Sequence, residues 1–165
     1  MQHHSSDILS WNEMSIANAL KIGKEDVKEY FTDGRRVSFL LERRLAREIL
    51  RGKLANNEGE DFDVLDSTGN KWEVRSISKD GIYFCPSYMV GSSRHFNKRG
   101  FLNKLKNIKG YIVSDITLFP NIPFWIITKN EVMNWWDNKE LGKTTKITRK
   151  KALILISKLV NKTVI

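Results

Sequence analysis

The stretch Glu60-Asp61-Phe62-Asp63-Val64-Leu65-Asp66-Ser67-Thr68-Gly69-Asn70-Lys71-Trp72-Glu73-Val74-Arg75-Ser76-Ile77-Ser78 switches the sequence from a helical period to an extended one. Phe62, Val64 and Leu65 begin a strand, Ser67 to Asn70 is turn chemistry, and Lys71 to Ser78 alternates, so the segment reads as a hairpin. Alternation sends Lys71, Glu73, Arg75 and Ile77 to one face, and Trp72, Val74, Ser76 and Ser78 to the other. Glu73 and Arg75 then have two readings: an ordinary exposed pair, or part of a site. Asp63 favours the site, because it lies ten residues before Glu73 and the Gly69-Asn70 turn folds the two strands together. Convergent carboxylates repel unless a cation sits between them. Mg²⁺ suits such a place, since it takes one or two carboxylates, several waters and phosphate oxygens, and it polarises a scissile phosphate and acidifies a bound water.

Upstream of the hairpin, Arg35 to Leu50 reads as a helix with Val37, Leu40, Leu41, Leu45 and Ile49 on its inner stripe and six arginines between Arg35 and Arg51. Before it, Ser10 to Tyr30 suits two short helices broken near Gly23, a helix-turn-helix or a dimerisation arm. Residues 1–33 are therefore expected to form an N-terminal helical segment and residues 34–165 the main domain. Downstream, Ile82 to Cys85 is expected as a third strand closed by Pro86, and Arg94 to Ile108 as a basic helix. Phe101, Leu102, Leu105 and Ile108 would face inward, with Lys98, Arg99, Lys104, Lys106 and Lys109 in solvent. Residues 111–113 and 124–127 are expected strands, 129–137 a short helix, and 149–161 a last helix or a buried strand. The order is α/β, with a mixed central sheet flanked by helices.

With 165 residues, 41% hydrophobic and 10% aromatic, the chain has enough apolar surface for one core, which excludes disorder and a stapled mini-protein. One cysteine, Cys85, excludes a disulfide framework and a cysteine-based zinc site. No apolar run is long enough to span a membrane and no signal-peptide pattern opens the chain, so a soluble cytoplasmic protein with no membrane partner is expected. The net charge of +9 is unevenly placed: residues 1–93 hold 13 basic and 15 acidic side chains, and residues 94–165 hold 15 and 4. A basic rear half suits a polyanion, and an acidic front half suits metal-assisted chemistry.

Asp63, then nine residues, then Glu73-Val74-Arg75 resembles the PD-(D/E)XK nuclease superfamily motif. Gly59 to Asp63, Asp66, Gly69 and Trp72 to Ile77 are most similar to PvuII-type restriction endonucleases. Gly34-Arg35-Arg36-Val37-Ser38-Phe39-Leu40-Leu41-Glu42 resembles the first helix of MutH-like nucleases, in which a helical Glu supports the metal site. These segments span residues 34–85, about a third of the chain. The resemblance implies a restriction-endonuclease-like αβββαβ core and a Mg²⁺-dependent endonuclease acting on double-stranded DNA, in type II form a homodimer. It implies Asp63, Glu73 and Glu42 as metal ligands. Arg75 stands where the motif has Lys. Arg keeps its charge and offers a planar fork of donors, so it suits phosphate rather than proton transfer. Arg75 could supply the electrostatics alone, Lys71 on the same face could complement it, or cleavage could be slow or absent.

Phosphate contacts need Lys, Arg and backbone N–H groups, whereas base reading needs side chains that reach groove edges. Arg94, Lys98, Arg99 and Lys104 are the expected backbone contacts and His95 and Asn97 the expected base contacts, with Ser92 and Ser93 capping the helix. Lys143, Lys146, Arg149, Lys150 and Lys151 form a second basic cluster suited to clamping a duplex. Two other readings are carried beside the restriction enzyme: a catalytically weak DNA-binding protein using the same fold and an N-terminal helix-turn-helix, and a repair or junction nuclease.

Overall fold

The computed structural model describes residues 6–57, 60–90 and 93–162. In chain order the elements are β1 (Ser6–Ser10), α1 (Glu13–Leu20), α2 (Lys24–Thr32) and α3 (Gly34–Arg44), which runs on into a π-helical turn over Leu45–Ile49. Then come β2 (Lys53–Leu54), β3 (Val64–Leu65), β4 (Lys71–Ile77), β5 (Ile82–Tyr83), α4 (Lys98–Asn107), β6 (Gly110–Asp115), β7 (Asn121–Thr128), α5 (Lys129–Asp137), β8 (Lys146–Ile147) and α6 (Arg149–Lys162). Helices α3, α4 and α5 each begin where a side chain can satisfy orphan N–H groups. Asp33 accepts from Arg35 N at 2.9 Å, Asn97 from Gly100 N at 3.0 Å, and Thr128 and Glu131 form a reciprocal capping box.

Six strands make one mixed sheet in the order β1-β7-β6-β4-β3-β2. β4 and β6 run parallel over six residues, from Trp72 opposite Gly110 to Ile77 opposite Asp115, and the other pairings are antiparallel. On one face α1 to α3 bury Val27, Phe31, Val37, Leu41 and Leu45 against Val64, Trp72, Val74, Ile112 and Phe124. On the other, α4 to α6 bury Phe101, Leu105, Val132, Trp135, Ala152 and Leu155 against Ile77, Tyr111, Val113 and Ile127. The alternation expected of β4 holds: Trp72 and Val74 serve the first face and Ile77 the second. Among the described residues no helix is long and apolar enough to cross a membrane.

Three expectations need correcting. Ile82 to Cys85 is not a third strand of the main sheet: Ile82 and Tyr83 pair with Ile147 and Lys146 of β8 in a separate two-stranded ribbon. The turn that redirects the chain there is Ser78 to Gly81, where Gly81 has φ +100° and any Cβ would lie 2.1 Å from Ile147 O. The N-terminal segment contains a strand besides its two helices. β1 pairs with β7 from Ser6 opposite Trp125 to Ser10 opposite Asn121, and α1 and α2 share their core with α3. The helix expected from Arg94 starts at Lys98, because Asn97 caps it. Ser93 lies outside the helix, and Gly91 and Ser92 lie outside the described residues.

Candidate functional site

The site begins at a fork in the sheet. β3 pairs with β4 only at Lys71 and Trp72, whereas β6 pairs with β4 as far as Ile77. Beyond Trp72, then, the β3 side of β4 has backbone groups without a strand to take them, and each buried one needs another partner. Asp63 supplies one: Val74 N donates to its Oδ2 at 2.8 Å. The register that sets Val64 opposite Trp72 brings Asp63 level with Glu73. A cleft of about 1020 Å³ opens along this unpaired stretch, between the start of α3 and the β4–β5 turn, with Glu42, Asp63 and Arg75 on its wall. Its rim carries Arg35, Lys79 and Lys146 together with Glu29, Asp33 and Asp80, so the rim is mixed in charge.

Glu73 lies behind that wall. It is only 3% exposed, and both of its oxygens meet cations. The Arg75 guanidinium pairs closely with Oε1, and Lys104 Nζ, carried by α4, stands 2.6 Å from Oε2. The Lys104 contact is an ion pair without hydrogen-bonding geometry, so Glu73 Oε2 accepts no hydrogen bond. Arg75 also reaches Asp63 Oδ2 at 3.7 Å and donates to the carbonyls of Val74 at 2.9 Å and Cys85 at 3.3 Å. Both Nη1 and Nη2 are thus engaged, which holds the guanidinium in place beside the two carboxylates.

Glu42 reaches the same cleft from the last turn of α3, directly after the fully buried Leu41. Among the described residues its carboxyl group has no hydrogen bond and no ion pair. Burial, with Asp63 the next contributor, pushes its carboxyl up to about 7. Asp63 is raised as well, by burial first and Glu73 second, against the opposing pull of Arg75. Burial works against the Arg75 charge, but Glu73 and Asp63 outweigh it and hold the guanidinium more firmly protonated than usual. The balance is three carboxyl groups against two fixed cations, Arg75 and Lys104. Once Glu42 ionises, above about pH 7, that leaves one surplus negative charge on the cleft side.

The arrangement therefore divides the expected ligand set. Glu42 and Asp63 share the cleft wall, and three of their oxygens (both of Glu42 and Oδ1 of Asp63) accept no hydrogen bond among the described residues. Two carboxylates with free oxygens on one cleft wall, Asp63 raising the proton affinity of Glu42, fit Mg²⁺, which completes its shell with water and substrate. Glu73 as placed does not fit, because both its oxygens already face cations. Among the described residues no group of three His, Cys, Asp or Glu side chains is spaced to hold a metal.

The expected DNA contacts are scattered in role. Lys98, Arg99 and His95 are exposed, as expected. Asn97 is the helix cap, and Arg94 is exposed but donates to the carbonyls of Ser87 and Val90 at 3.1 and 3.3 Å, closing the loop before α4. Lys104 is not in solvent: its side chain is 10% exposed and committed to Glu73. The signal was in the sequence, since Lys104 stands three residues after Phe101 and four before Ile108, inside the inward stripe of α4. Of the second basic cluster, Arg149 binds Asp115 and Lys151 binds Glu140. Lys146 lies on the cleft rim over the Tyr83 ring, brought there by a β5–β8 ribbon that no periodicity announced. Lys71, weighed as a helper for Arg75, is exposed and lies over the Phe62 ring. In comparisons with known proteins, no family model, no curated protein and no solved structure matches this chain.

Proposed function

We propose that the protein is a Mg²⁺-dependent nuclease that hydrolyses phosphodiester bonds of duplex DNA in the cleft beside β4. The observation that carries this reading is the pair Glu42 and Asp63, two partly buried carboxyl groups with free oxygens on one cleft wall, backed by Arg75. Glu42 and Asp63 would hold the ion. When bound, Mg²⁺ supplies polarisation of the phosphate and an acidified water. Asp63 is prepared for this by Val74 N and Arg75, which fix Oδ2 and leave Oδ1 free. Glu73 acts one step back, anchoring the guanidinium and the Lys104 ammonium so that positive charge stands behind the phosphate. A site-specific enzyme of type II form, working as a homodimer, is the setting the motif resemblance favours, because cutting both strands of a palindrome matches twofold symmetry.

The test is plasmid cleavage with Mg²⁺ by the intact chain, by Glu42→Gln and by Asp63→Asn. Discrete products from the parent chain and loss in both variants support the assignment, and equal cleavage by all three would remove it. One observation favours a second reading, a DNA-binding protein with little or no cleavage: both oxygens of Glu73 are occupied by fixed cations. That reading predicts duplex binding unchanged by EDTA and no cleavage at any Mg²⁺ concentration.

A further inference from the structure

The N-terminal end of β4 carries a second charged region, separate from the cleft. Lys53 of β2 is opposite Leu65 of β3, and Leu65 is opposite Lys71 of β4. Directly opposed residues share a face, so Lys53 and Lys71 share the face of Leu65, which packs into the core beneath α4. The row continues through the backbone: Lys109 N donates to Lys71 O at 2.7 Å, and Lys129 N donates to Lys109 O at 3.1 Å. Lys129 Nζ in turn donates to the carbonyl of Lys106, at the end of α4. Lys53, Lys71, Lys106 and Lys109 are all exposed, and none has an ion pair among the described residues. With strands about 4.8 Å apart, Lys53 and Lys71 have backbones roughly 10 Å from one another and Lys71 and Lys109 roughly 5 Å. Unpaired like charges at that spacing repel, and a line of phosphates relieves the repulsion.

We propose that Lys53, Lys71, Lys106 and Lys109 form a docking track for the phosphate backbone of duplex nucleic acid. The track continues onto α4, whose outer face presents Arg99, Asn103 and Lys106 at i, i+4 and i+7 while Lys104 turns inward to Glu73. An anionic membrane is the weaker partner for this surface: the exposed large hydrophobics, Ile8, Met14, Leu20, Ile22, Tyr30, Phe39, Tyr88, Leu118 and Ile154, all belong to other segments, so the lysines have no apolar anchor among them. The proposal rests on the nuclease reading only for its ligand class, and needs neither metal nor cleavage.

The experiment is fluorescence anisotropy of a labelled duplex in EDTA, titrated with the full chain between about 50 and 200 mM KCl. The quadruple variant K53Q/K71Q/K106Q/K109Q is compared with the parent and with K139Q/K158Q, which removes two exposed lysines outside the track and outside the second basic cluster. Each lost phosphate contact lowers the slope of log K against log salt by about 0.9, so the quadruple variant is expected to lose roughly 3 to 4 in slope and at least about tenfold in affinity at low salt. K139Q/K158Q should leave the slope near the parent value. A parallel thermal melt confirms that the variant folds, and the single variants K53Q and K109Q, each losing about one unit of slope, serve if it does not. An unchanged slope, absence of duplex binding by the parent, or binding only to phosphatidylserine vesicles would overturn the proposal. Because cleavage is not read, failure here leaves the Glu42 and Asp63 assignment standing, and failure of that assignment leaves the track standing.

Discussion

Two buried acids lie on the neighbouring parallel strands β4 and β6, and they are treated in opposite ways. Asp115, at the end of β6, is completely buried and completely satisfied. Its carboxylate takes Arg149 Nε and Nη2 at 3.1 and 2.6 Å, and Thr117 donates to Oδ1 from both its N–H and its hydroxyl. Glu73, on β4, is nearly as buried, yet one oxygen accepts no hydrogen bond, and two further carboxyl groups with raised proton affinity stand beside it. The hairpin repeats the contrast within three residues. Asp66 gathers hydrogen bonds from Thr68, Asn70 and the Trp72 indole, which outweigh the cost of partial burial and hold it well below the usual carboxylate range, while Asp63 is pushed up. Saturated acids hold a fold together. An under-satisfied acid group spends stability, and such groups gather where charge is put to use.

The contrast breaks most sharply with substitutions that separate activity from stability. Asp63→Asn is expected to lower Mg²⁺-dependent cleavage by about 10³-fold, roughly 4 kcal/mol in the barrier, with a urea midpoint no lower than the parent's. Arg149→Met is expected to do the reverse. It strands a buried carboxylate at a cost of about 3 kcal/mol, the low end for a broken buried pair because water reaches part of Arg149, and cleavage per folded molecule should hold. If Asp63→Asn destabilises as much as Arg149→Met, the two regions are not different in kind.

A pH series sharpens the same point. The Glu42 carboxyl titrates near 4.5 when unfolded and is pushed up to about 7 when folded. Its charge is thus penalised only in the native state, so stability is complete below about pH 4.5 and falls as pH rises through about 7. The shift corresponds to roughly 3 kcal/mol at most, and water at the cleft brings the expectation to about 2 kcal/mol. Glu42→Gln should remove that slope in urea denaturation followed from about pH 5 to 8. A parent protein whose stability rises over this window would contradict the account of Glu42.

How far this was legible in the sequence follows from the same physics. The hairpin, the inner stripe of α3 and the two helices broken near Gly23 were readable because local periodicity and turn chemistry decide them. Of the candidate site, Asp63, Glu73 and Arg75 were readable from spacing and Glu42 only through the resemblance of its helix; Glu42, Asp63 and Arg75 line one cleft and Glu73 lies behind it. What spacing could not show is which carboxylate faces the cleft, since that depends on where β3 stops pairing with β4. β1 and the β5–β8 ribbon were missed because two- to five-residue strands carry almost no periodic signal and are fixed by distant partners such as β7. Lys104 was misread for a different reason. A lysine among lysines looks solvated until its position is counted against Phe101 and Ile108.

The smallest predicted effect concerns Asn97, which the sequence offered as a base-reading residue and the structure uses as a cap. Its side-chain oxygen accepts from Gly100 N at 3.0 Å, satisfying one of the orphan donors at the start of α4. Asn97→Ala is therefore expected to cost about 1 kcal/mol in urea denaturation, and Asn97→Asp, which keeps the acceptor and adds charge at the positive end of the helix, should cost little or nothing. Because α4 carries Lys104 to Glu73, a loosened first turn should leave that pair in place: Lys104 lies two turns further on, fixed by Phe101, Leu105 and Ile108. Duplex affinity in Asn97→Ala should thus match the parent within about twofold, less than 0.5 kcal/mol. A much larger loss of affinity, restored by Asp, would make α4 a reading helix whose start must be rigid. A large loss not restored by Asp would return Asn97 to base contact and move it from the saturated side of the comparison to the functional one.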